Sequence, residues 1–239
     1  MSRGVLFGVS VGPGDPELLT LKAVRVIREA DVVAVPNSGG KRQMAYSIAA
    51  EHLSGKALLD CPTPMSDDSA RAAAAYRSIA DSICSLLDAG KSVAYLVLGD
   101  AAVYSSYAYV QRLVQERGYD TQIVPGVTSF CAAAAQLSEP LCEGEESLLV
   151  IPASAPDIAR MLDVPATKVF MKAGRSLDAL RDKLAERGAL EHASMVANCG
   201  LPDERVYPSF ADADGQAGYF SLVIVKERES VNGDRDASA

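Results

Sequence analysis

A glycine-rich segment near the N-terminus limits the fold more than any other part of the chain. It reads Gly8-Val-Ser-Val-Gly-Pro-Gly-Asp-Pro-Glu-Leu-Leu-Thr-Leu-Lys-Ala23 and overlaps an apolar run that predicts a β-strand over Val5 to Val11. Apolar residues then recur every three positions, which predicts a helix over Pro16 to Ala30 with Asp15 as its N-cap. The side chains expected to face the core are Leu18, Leu21, Val24 and Ile27. The segment therefore predicts a strand, a tight loop and a helix in succession.

The loop of this unit, Gly12-Pro13-Gly14-Asp15, has two interpretations. In an open parallel sheet, ligands bind in the crevice at the carboxyl ends of the strands. A tight connection from strand to helix also favours glycine for purely conformational reasons, so the loop alone predicts either a ligand site or a turn. The spacing of Gly8, Gly12 and Gly14 does not match G-x-G-x-x-G, which disfavours a nicotinamide-dependent enzyme.

Strand-like and helix-like segments continue to alternate along the chain. This alternation predicts an α/β protein with a mostly parallel sheet. The pattern lapses between Ser138 and Glu146, where proline, glycine and acidic residues accumulate. We therefore expect an N-terminal α/β domain over residues 1–138, a C-terminal α/β domain over residues 147–227 and a disordered tail over residues 228–239.

Two further loops connect a predicted strand to a predicted helix and carry polar side chains. Asp100 follows Gly99 after the most apolar strand, where its carboxylate either caps the next helix or accepts hydrogen bonds from a ligand. Thr128 and Ser129 follow the next strand, where their hydroxyls either cap a helix or help its free N–H groups to bind an anion. Polar loops that recur in this way favour a shared ligand site over several independent caps.

Composition excludes several classes of function. The formal net charge of -8 argues against a general nucleic-acid binder, which needs a basic face. Two histidines and five cysteines without a C-x-x-C pair offer no metal-ligand cluster, so we expect no metal. The N-terminus lacks a secretory leader and no apolar run approaches the ~20 residues of a membrane helix. We therefore expect a cytoplasmic protein with reduced cysteines and no membrane partner.

The motifs taken together resemble a known family. The segment from Val11 to Ala23, followed by Ala30-Asp-Val-Val33, is similar to the opening of the tetrapyrrole (corrin/porphyrin) methylases. Gly99-Asp100 and Pro125 to Ala134 fall where that family has its next two signatures, and the resemblance runs from about residue 4 to residue 226. Three C-terminal segments look most like the precorrin-2 C20-methyltransferase branch, namely Val169 to Lys172, Asn198 to Arg205 and Tyr219 to Val225.

This resemblance implies an architecture, a cofactor and an activity. The expected architecture is two α/β domains with a cofactor trough between them, usually in a homodimer. The expected reaction is S-adenosylmethionine-dependent C-methylation of a small-molecule reduced tetrapyrrole in cobalamin (corrin) biosynthesis, with precorrin-2 or its cobalt form methylated at C20. Carried over by position, the cofactor-binding residues are Pro13, Gly99, Asp100, Val103, Tyr104, Thr128, Ser129, Met171 and Ala197.

The chain departs from the family pattern at two places. Most relatives have proline where this chain has Ala101. Alanine restores a backbone N–H and leaves φ less restricted, which changes the expected shape of the loop but not the Asp100 carboxylate. The uroporphyrinogen-methylating branch has an acidic residue after its second strand, where this chain has Pro36-Asn37. The second departure disfavours that branch.

The chemistry asks little of catalytic side chains. Methyl transfer from a sulfonium is an in-line displacement that mainly needs the two reactants to be aligned. A proton must also leave the methylated carbon, and Tyr104 and Glu17 are weak candidates for its base, Glu17 being equally suited to the first turn of a helix. The carboxylates of a tetrapyrrole call for cations, which are either substrate-binding or solvated surface charges: Lys41, Arg42, Lys172 and Arg175.

Two rival functions remain open at this point. Another member of the family is one, acting on uroporphyrinogen, on a precorrin-4-type ring or on RNA, and tight salt-sensitive RNA binding would favour the RNA case. A non-catalytic binding protein on the same scaffold is the other, because a fold does not by itself specify an activity. That second rival predicts no binding of S-adenosylmethionine.

Overall fold

The computed structural model describes residues 3–37, 41–63, 69–214, 218 and 220–227, and for residues 41–43 and 175 it describes the backbone alone. The predicted tail over residues 228–239 lies outside these ranges. The strands are β1 (Leu6–Ser10), β2 (Val32–Asn37), β3 (Ala57–Pro62), β4 (Val93–Val97), β5 (Thr121–Val124), β6 (Leu148–Pro152), β7 (Thr167–Met171), β8 (Ala193–Ala197), β9 (Arg205–Tyr207) and β10 (Ser221–Val225). The α-helices are α1 (Leu21–Glu29), α2 (Lys41–Ala49), α3 (Ser69–Asp88), α4 (Tyr107–Glu116), α5 (Ser129–Leu137), α6 (Ile158–Leu162) and α7 (Leu177–Glu186).

The chain divides into two compact units, residues 1–132 and 133–239. The first contains a parallel sheet in the order β3-β2-β4-β1-β5, which confirms the α/β prediction. Because β1 lies between β4 and β5, the loops that follow these three strands emerge side by side at one edge of the sheet. The topology therefore brings together the three polar loops that the sequence singled out.

Helices cover both faces of this sheet. On one face, α1 and α2 pack on β1 and β2, and residues such as Ile27, Ile48 and Val35 form the core. On the other face, α3 and α4 pack through residues such as Ile83 and Tyr107. Strands that are buried on both sides are nearly continuous apolar runs, which explains why β4 was the most apolar strand in the sequence.

The first helix differs from its prediction. A single 3-10 turn covers Pro16–Leu18, capped by Asp15, whose side chain accepts a hydrogen bond from the Glu17 N–H. The α-helix starts only at Leu21, with Thr20 as its N-cap, and it buries Ala23, Val26 and Ile27. The prediction that Leu21 faces the core is therefore wrong, since this side chain is 90% exposed. The three-residue spacing was counted across a break in the helix, and the break changes which side chains face the sheet.

The second unit contains a mixed sheet in the order β6-β7-β10-β8-β9. Strand β10 runs antiparallel to both of its neighbours, so β7 and β8 run in the same direction. Their carboxyl ends, Met171 and Ala197, therefore lie at the same edge with β10 between them. The helix α7 packs on this sheet through Leu177, Leu180 and Leu184. No helix in the described part of the chain is long and apolar enough to cross a bilayer.

The cysteines differ in their environments, which leads to a testable prediction. Burial, with a smaller effect of Asp60, raises the pKa of the Cys61 thiol to about 12, and burial, together with Glu204, raises that of Cys199 to about 12. A thiol with such a pKa is ionised in roughly one molecule in ten thousand at pH 8, and the thiolate is the reactive form. Cys131 and Cys142 are exposed.

We expect iodoacetamide at pH 8 to alkylate Cys131 and Cys142 in the native protein and to leave Cys61 and Cys199 unmodified. Peptide mass spectrometry measures this, with protein unfolded in guanidinium as the control in which all cysteines react. Alkylation of Cys61 in the native state at the rate of Cys131 would contradict the burial of this thiol.

Candidate functional site

The first two loops at the edge of the parallel sheet are bonded directly to each other. Gly12 N–H donates to the Gly99 carbonyl at 3.2 Å, and Gly99 N–H donates to the Gly12 carbonyl at 2.8 Å. Both residues are left-handed, with φ of 78° and 76°, which favours glycine at each position. Gly99 is itself buried, yet a Cβ added there would meet nothing within 4 Å, so unfilled space lies beside its Cα. A ligand can therefore approach the main chain here closely.

The carboxylate of Asp100 joins all three loops. It is only 9% exposed. Its Oδ2 accepts hydrogen bonds from Gly126 N–H at 2.7 Å and from the Ser10 hydroxyl at 3.4 Å. Its Oδ1 accepts from Ala102 N–H at 2.8 Å, and the Ser10 oxygen accepts from Ala101 N–H at 2.9 Å. The side chain therefore ties the end of β1 and the loop after β5 to the loop after β4.

Asp100 does not cap the next helix, which was one of its two predicted roles. Helix α4 begins at Tyr107, and its first N–H is satisfied by the Ser105 hydroxyl at 3.0 Å. Within its own loop, the Asp100 carboxylate accepts a hydrogen bond from the N–H of Ala102, two residues further along. This is the hydrogen bond of an Asx turn.

The third loop carries a buried hydroxyl that the protein does not satisfy. Thr128 Oγ1 is buried and has no hydrogen-bond partner among the described residues. It lies immediately before α5, which begins at Ser129, and Ser129 is itself partly buried. A helix-capping threonine would accept a hydrogen bond from an N–H of the first turn, so the plain capping role is not realised by Thr128. An unsatisfied hydroxyl at a helix N-terminus suits a polar or anionic group of a ligand.

The remaining predicted residues of the first unit surround these loops. Pro13 is buried in the turn that follows Gly12. Val103 is partly buried and donates its N–H to the Asp100 carbonyl at 3.2 Å. Tyr104 is left-handed, with φ of 47°, and 45% exposed. A left-handed tyrosine is strained, and strain of this kind persists where the surrounding structure imposes it, commonly at functional sites.

The predicted cofactor residues of the second unit lie at the ends of β7 and β8. Ala197 is fully buried and is paired with Ser221 of β10, and Met171 ends β7 on the other side of β10. Two strand spacings separate them, or about 10 Å. The residues that directly follow, Lys172 and Asn198, are both left-handed, with φ of 60° and 55°. Strained backbone therefore marks this edge of the second sheet as well.

The predicted cations and bases are distributed more widely. Lys172 is exposed, yet the protein around its ammonium group lowers its pKa by desolvation. Lys41 and Arg42 are the first two residues of α2. The side chains of Lys41, Arg42 and Arg175 lie outside what the structure describes. Glu17 is exposed in the 3-10 turn after the first loop.

The residues at the edge of the first sheet fit a small zwitterionic cofactor. They offer open backbone at Gly99, an unsatisfied hydroxyl at Thr128 and a helix N-terminus, with the one buried carboxylate, Asp100, already hydrogen-bonded to the protein. Such a site is suited to bind and orient a ligand largely through the main chain. The sequence did not predict roles for Ser10 and the Gly126 N–H. Their hydrogen bonds to Asp100 depend on the strand order of the parallel sheet, which neither residue type indicates.

Comparison with known proteins extends this picture. The family model described as tetrapyrrole (corrin/porphyrin) methylases matches residues 5–213. A cobalt-precorrin-2 C(20)-methyltransferase of Salmonella typhimurium is 34% identical over 234 residues, which are 95% of this chain and 98% of that protein. The cobalamin biosynthesis protein CobIJ of Mycobacterium tuberculosis is 36% identical over 235 residues, which cover 94% of this chain and 46% of that protein. The chain therefore spans about half the length of this second relative.

A solved structure shares the fold. The crystal structure of a cobalt precorrin-4 methyltransferase superimposes with a TM-score of 0.75 at 21% identity, over 93% of this chain and 94% of the other. At this level of identity the similarity concerns the path of the chain through both sheets.

Proposed function

The chain belongs to the tetrapyrrole (corrin/porphyrin) methylases, and from that premise we propose that it methylates C20 of precorrin-2 or its cobalt form, using S-adenosylmethionine, in cobalamin biosynthesis. The observation that carries this proposal is the near-complete mutual coverage with the Salmonella C(20)-methyltransferase, 95% of one chain and 98% of the other. The proposal includes a homodimer, as the resemblance implies, and the cytoplasmic location expected from the composition of the chain.

The site geometry supports the cofactor part of the proposal. When bound, S-adenosylmethionine supplies a methyl group on a positively charged sulfur, which is electrophilic without help from the protein. The chemistry it would supply is transfer of this methyl group to C20 of the ring, with S-adenosylhomocysteine as the leaving group and a proton released from the methylated ring. The task of the chain is therefore to hold the donor in line and exclude water, which rigid backbone loops do well.

Residues of the first unit are proposed to do most of this holding. The open main chain at Gly99 and the buried hydroxyl of Thr128 would bind polar groups of the cofactor, with Pro13 shaping the first loop. Met171 and Ala197 of the second unit stay predicted contacts, as do Val103, Tyr104 and Ser129. The base that removes the proton from C20 is not assigned, and Tyr104 and Glu17 remain its candidates.

A binding and turnover experiment tests the proposal. S-adenosylhomocysteine, the demethylated cofactor, should raise the melting temperature, because a ligand that binds only the folded state stabilises it. Label from methyl-labelled S-adenosylmethionine should then appear in precorrin-2 and not in uroporphyrinogen III. Absence of both effects would favour the non-catalytic rival, and transfer to uroporphyrinogen alone would place the chain in another branch of the family.

The cations after β7 are proposed to bind substrate carboxylates. We expect Arg175→Ala and Lys172→Ala each to raise the KM for the tetrapyrrole about tenfold, the worth of one charge-assisted hydrogen bond, while the Kd for the cofactor changes less than twofold. Lys183→Ala is the matched control. This lysine lies in the last turn of α7, whereas Lys172 and Arg175 precede the first turn of that helix. Steady-state kinetics and titration calorimetry measure the two constants. Equal losses for both ligands would refute the assignment.

A further inference from the structure

We propose that Ser10 is a positioning residue, which together with Asp100 clamps the three loops at the edge of the parallel sheet into the arrangement that binds the cofactor. The loops are those that follow β1, β4 and β5, and we call the Ser10–Asp100 pair with its backbone partners the loop clamp. The effect of the loop clamp on cofactor binding rests on the proposed function. Its effect on the position of the loops does not rest on that function, because the clamp is present in the chain without ligand.

The first argument is the position of Ser10. It is the last residue of β1 and is completely buried, and its hydroxyl uses both of its hydrogen-bonding capacities. It donates to Asp100 Oδ2 at 3.4 Å and accepts from Ala101 N–H at 2.9 Å. A buried hydroxyl that bridges a carboxylate and the N–H of the next residue fixes the path of that loop.

The second argument is the contact between Ser10 and the third loop. A Cβ built on Gly126 would lie 2.5 Å from the Ser10 Cβ and 3.3 Å from the Gly99 carbonyl oxygen. The backbone of the third loop therefore packs directly on Ser10, and Gly126 N–H reaches Asp100 Oδ2 at 2.7 Å from there. The unsatisfied hydroxyl of Thr128 lies only two residues further along, so its location depends on this contact.

The third argument is the chemistry of the acceptor. An ionised carboxylate accepts hydrogen bonds on both oxygens and donates none. The groups that surround Asp100 are two N–H groups and one hydroxyl, and all of them donate to it. The clamp is therefore specific for a carboxylate at position 100 and is complete without a ligand.

A second serine–aspartate pair in the same sheet provides the comparison. At the opposite edge, Asp31 Oδ2 accepts from the Ser92 hydroxyl at 2.8 Å and from Ser92 N–H at 2.7 Å. These two residues directly precede β2 and β4, so the pair fastens the start of two strands and lies away from the loops. Ser92→Ala thus removes a serine hydroxyl that is also bonded to an aspartate, in a more exposed pair that lies away from the loops.

The experiment compares Ser10→Ala with Ser92→Ala in the full chain. Hydrogen–deuterium exchange of the ligand-free protein reports on the amides of Ala101 and Gly126, and calorimetry measures the Kd for S-adenosylhomocysteine. We expect Ser10→Ala to accelerate exchange in the segments that contain Ala101 and Gly126 and to raise the Kd about tenfold, as expected for a hydrogen bond to a charged group. Ser92→Ala should change the Kd less than twofold and leave exchange at Ala101 and Gly126 as in the wild type.

The outcomes separate this proposal from the proposed function. Unchanged exchange at Ala101 and Gly126 in Ser10→Ala overturns the clamp, whatever ligand the protein binds. Accelerated exchange in Ser10→Ala, together with a wild-type protein that binds no S-adenosylhomocysteine, supports the clamp and overturns the proposed function instead. Accelerated exchange with an unchanged Kd overturns the claim that Ser10 positions the cofactor site. The KM for the cofactor should rise together with the Kd, since Ser10 acts through the loops and not on the reacting atoms.

Discussion

Asp100→Asn is expected to weaken cofactor binding about a hundredfold, which is a loss of about 3 kcal/mol in binding free energy. This is the size expected when one hydrogen bond to a charged group is removed and one N–H donor is left facing another donor. The carboxylate now accepts from Gly126 N–H on one oxygen and from Ala102 N–H on the other. An asparagine has only one acceptor oxygen, so either orientation of the amide points its NH2 group at a backbone N–H. The third loop is then released from the second, and the cofactor site that they form is lost.

Calorimetry with S-adenosylhomocysteine measures this loss, and Asp31→Asn is its control. Asp31 also accepts hydrogen bonds from a backbone N–H and a serine, which lower its pKa, but it lies at the far edge of the sheet. Both variants should be less stable than the wild type, and only Asp100→Asn should lose affinity. A cofactor Kd for Asp100→Asn within threefold of wild type would show that the carboxylate does not organise the site.

Gly8→Ala is expected to cause a large loss of stability, because the added methyl group has no space beside β1. The new Cβ would lie 2.2 to 2.6 Å from three ring carbons of Tyr107. That ring is completely buried, and its hydroxyl donates to the Gln122 carbonyl at 3.1 Å, so it has no space into which to move. Overpacking typically costs about 1 to 3 kcal/mol, and we expect the upper end here because the ring cannot move aside.

Thermal and denaturant unfolding measure this loss of stability. We expect Gly8→Ala to lower the melting temperature by roughly 6 to 12 °C for a chain of this size. Gly55→Ala is the matched control. Its φ of 74° penalises alanine, but the added Cβ would meet nothing within 4 Å, so only the conformational cost of about 1 kcal/mol applies. A Gly8→Ala variant no less stable than Gly55→Ala would mean that β1 and Tyr107 are not packed as described.

Local patterns predicted the elements well where a single physical signal dominated. The strand predicted over Val5 to Val11 corresponds to β1 at Leu6–Ser10, because a short β-rich run ends there at turn-forming residues. The first helix was predicted with the wrong start, since Leu19 and Thr20 adopt extended backbone that no periodicity reveals. Leu21 consequently faces outward, although its spacing to Ile27 suggested the core.

The site was predictable in its loops and not in its contacts. Gly99, Asp100 and Thr128 stood out because polar residues after apolar strands are costly without a role. Ser10 did not stand out, because a serine at the end of a strand is ordinary. Its role depends on β1 lying between β4 and β5, a strand order that places residue 10 beside residues 100 and 126. Long-range pairing of this kind leaves no trace in a single sequence.

The most direct test of the central claim is to locate the transferred methyl group. The protein is incubated with S-adenosylmethionine that carries a 13C-methyl group, once with precorrin-2 and once with cobalt-precorrin-2. The position of the labelled carbon in each product is then assigned by NMR. The proposed function predicts one new methyl group on C20 of at least one of the two rings, in equal amount to the S-adenosylhomocysteine formed. A methyl group on another ring carbon, or cofactor binding without any transfer to either ring, would contradict it.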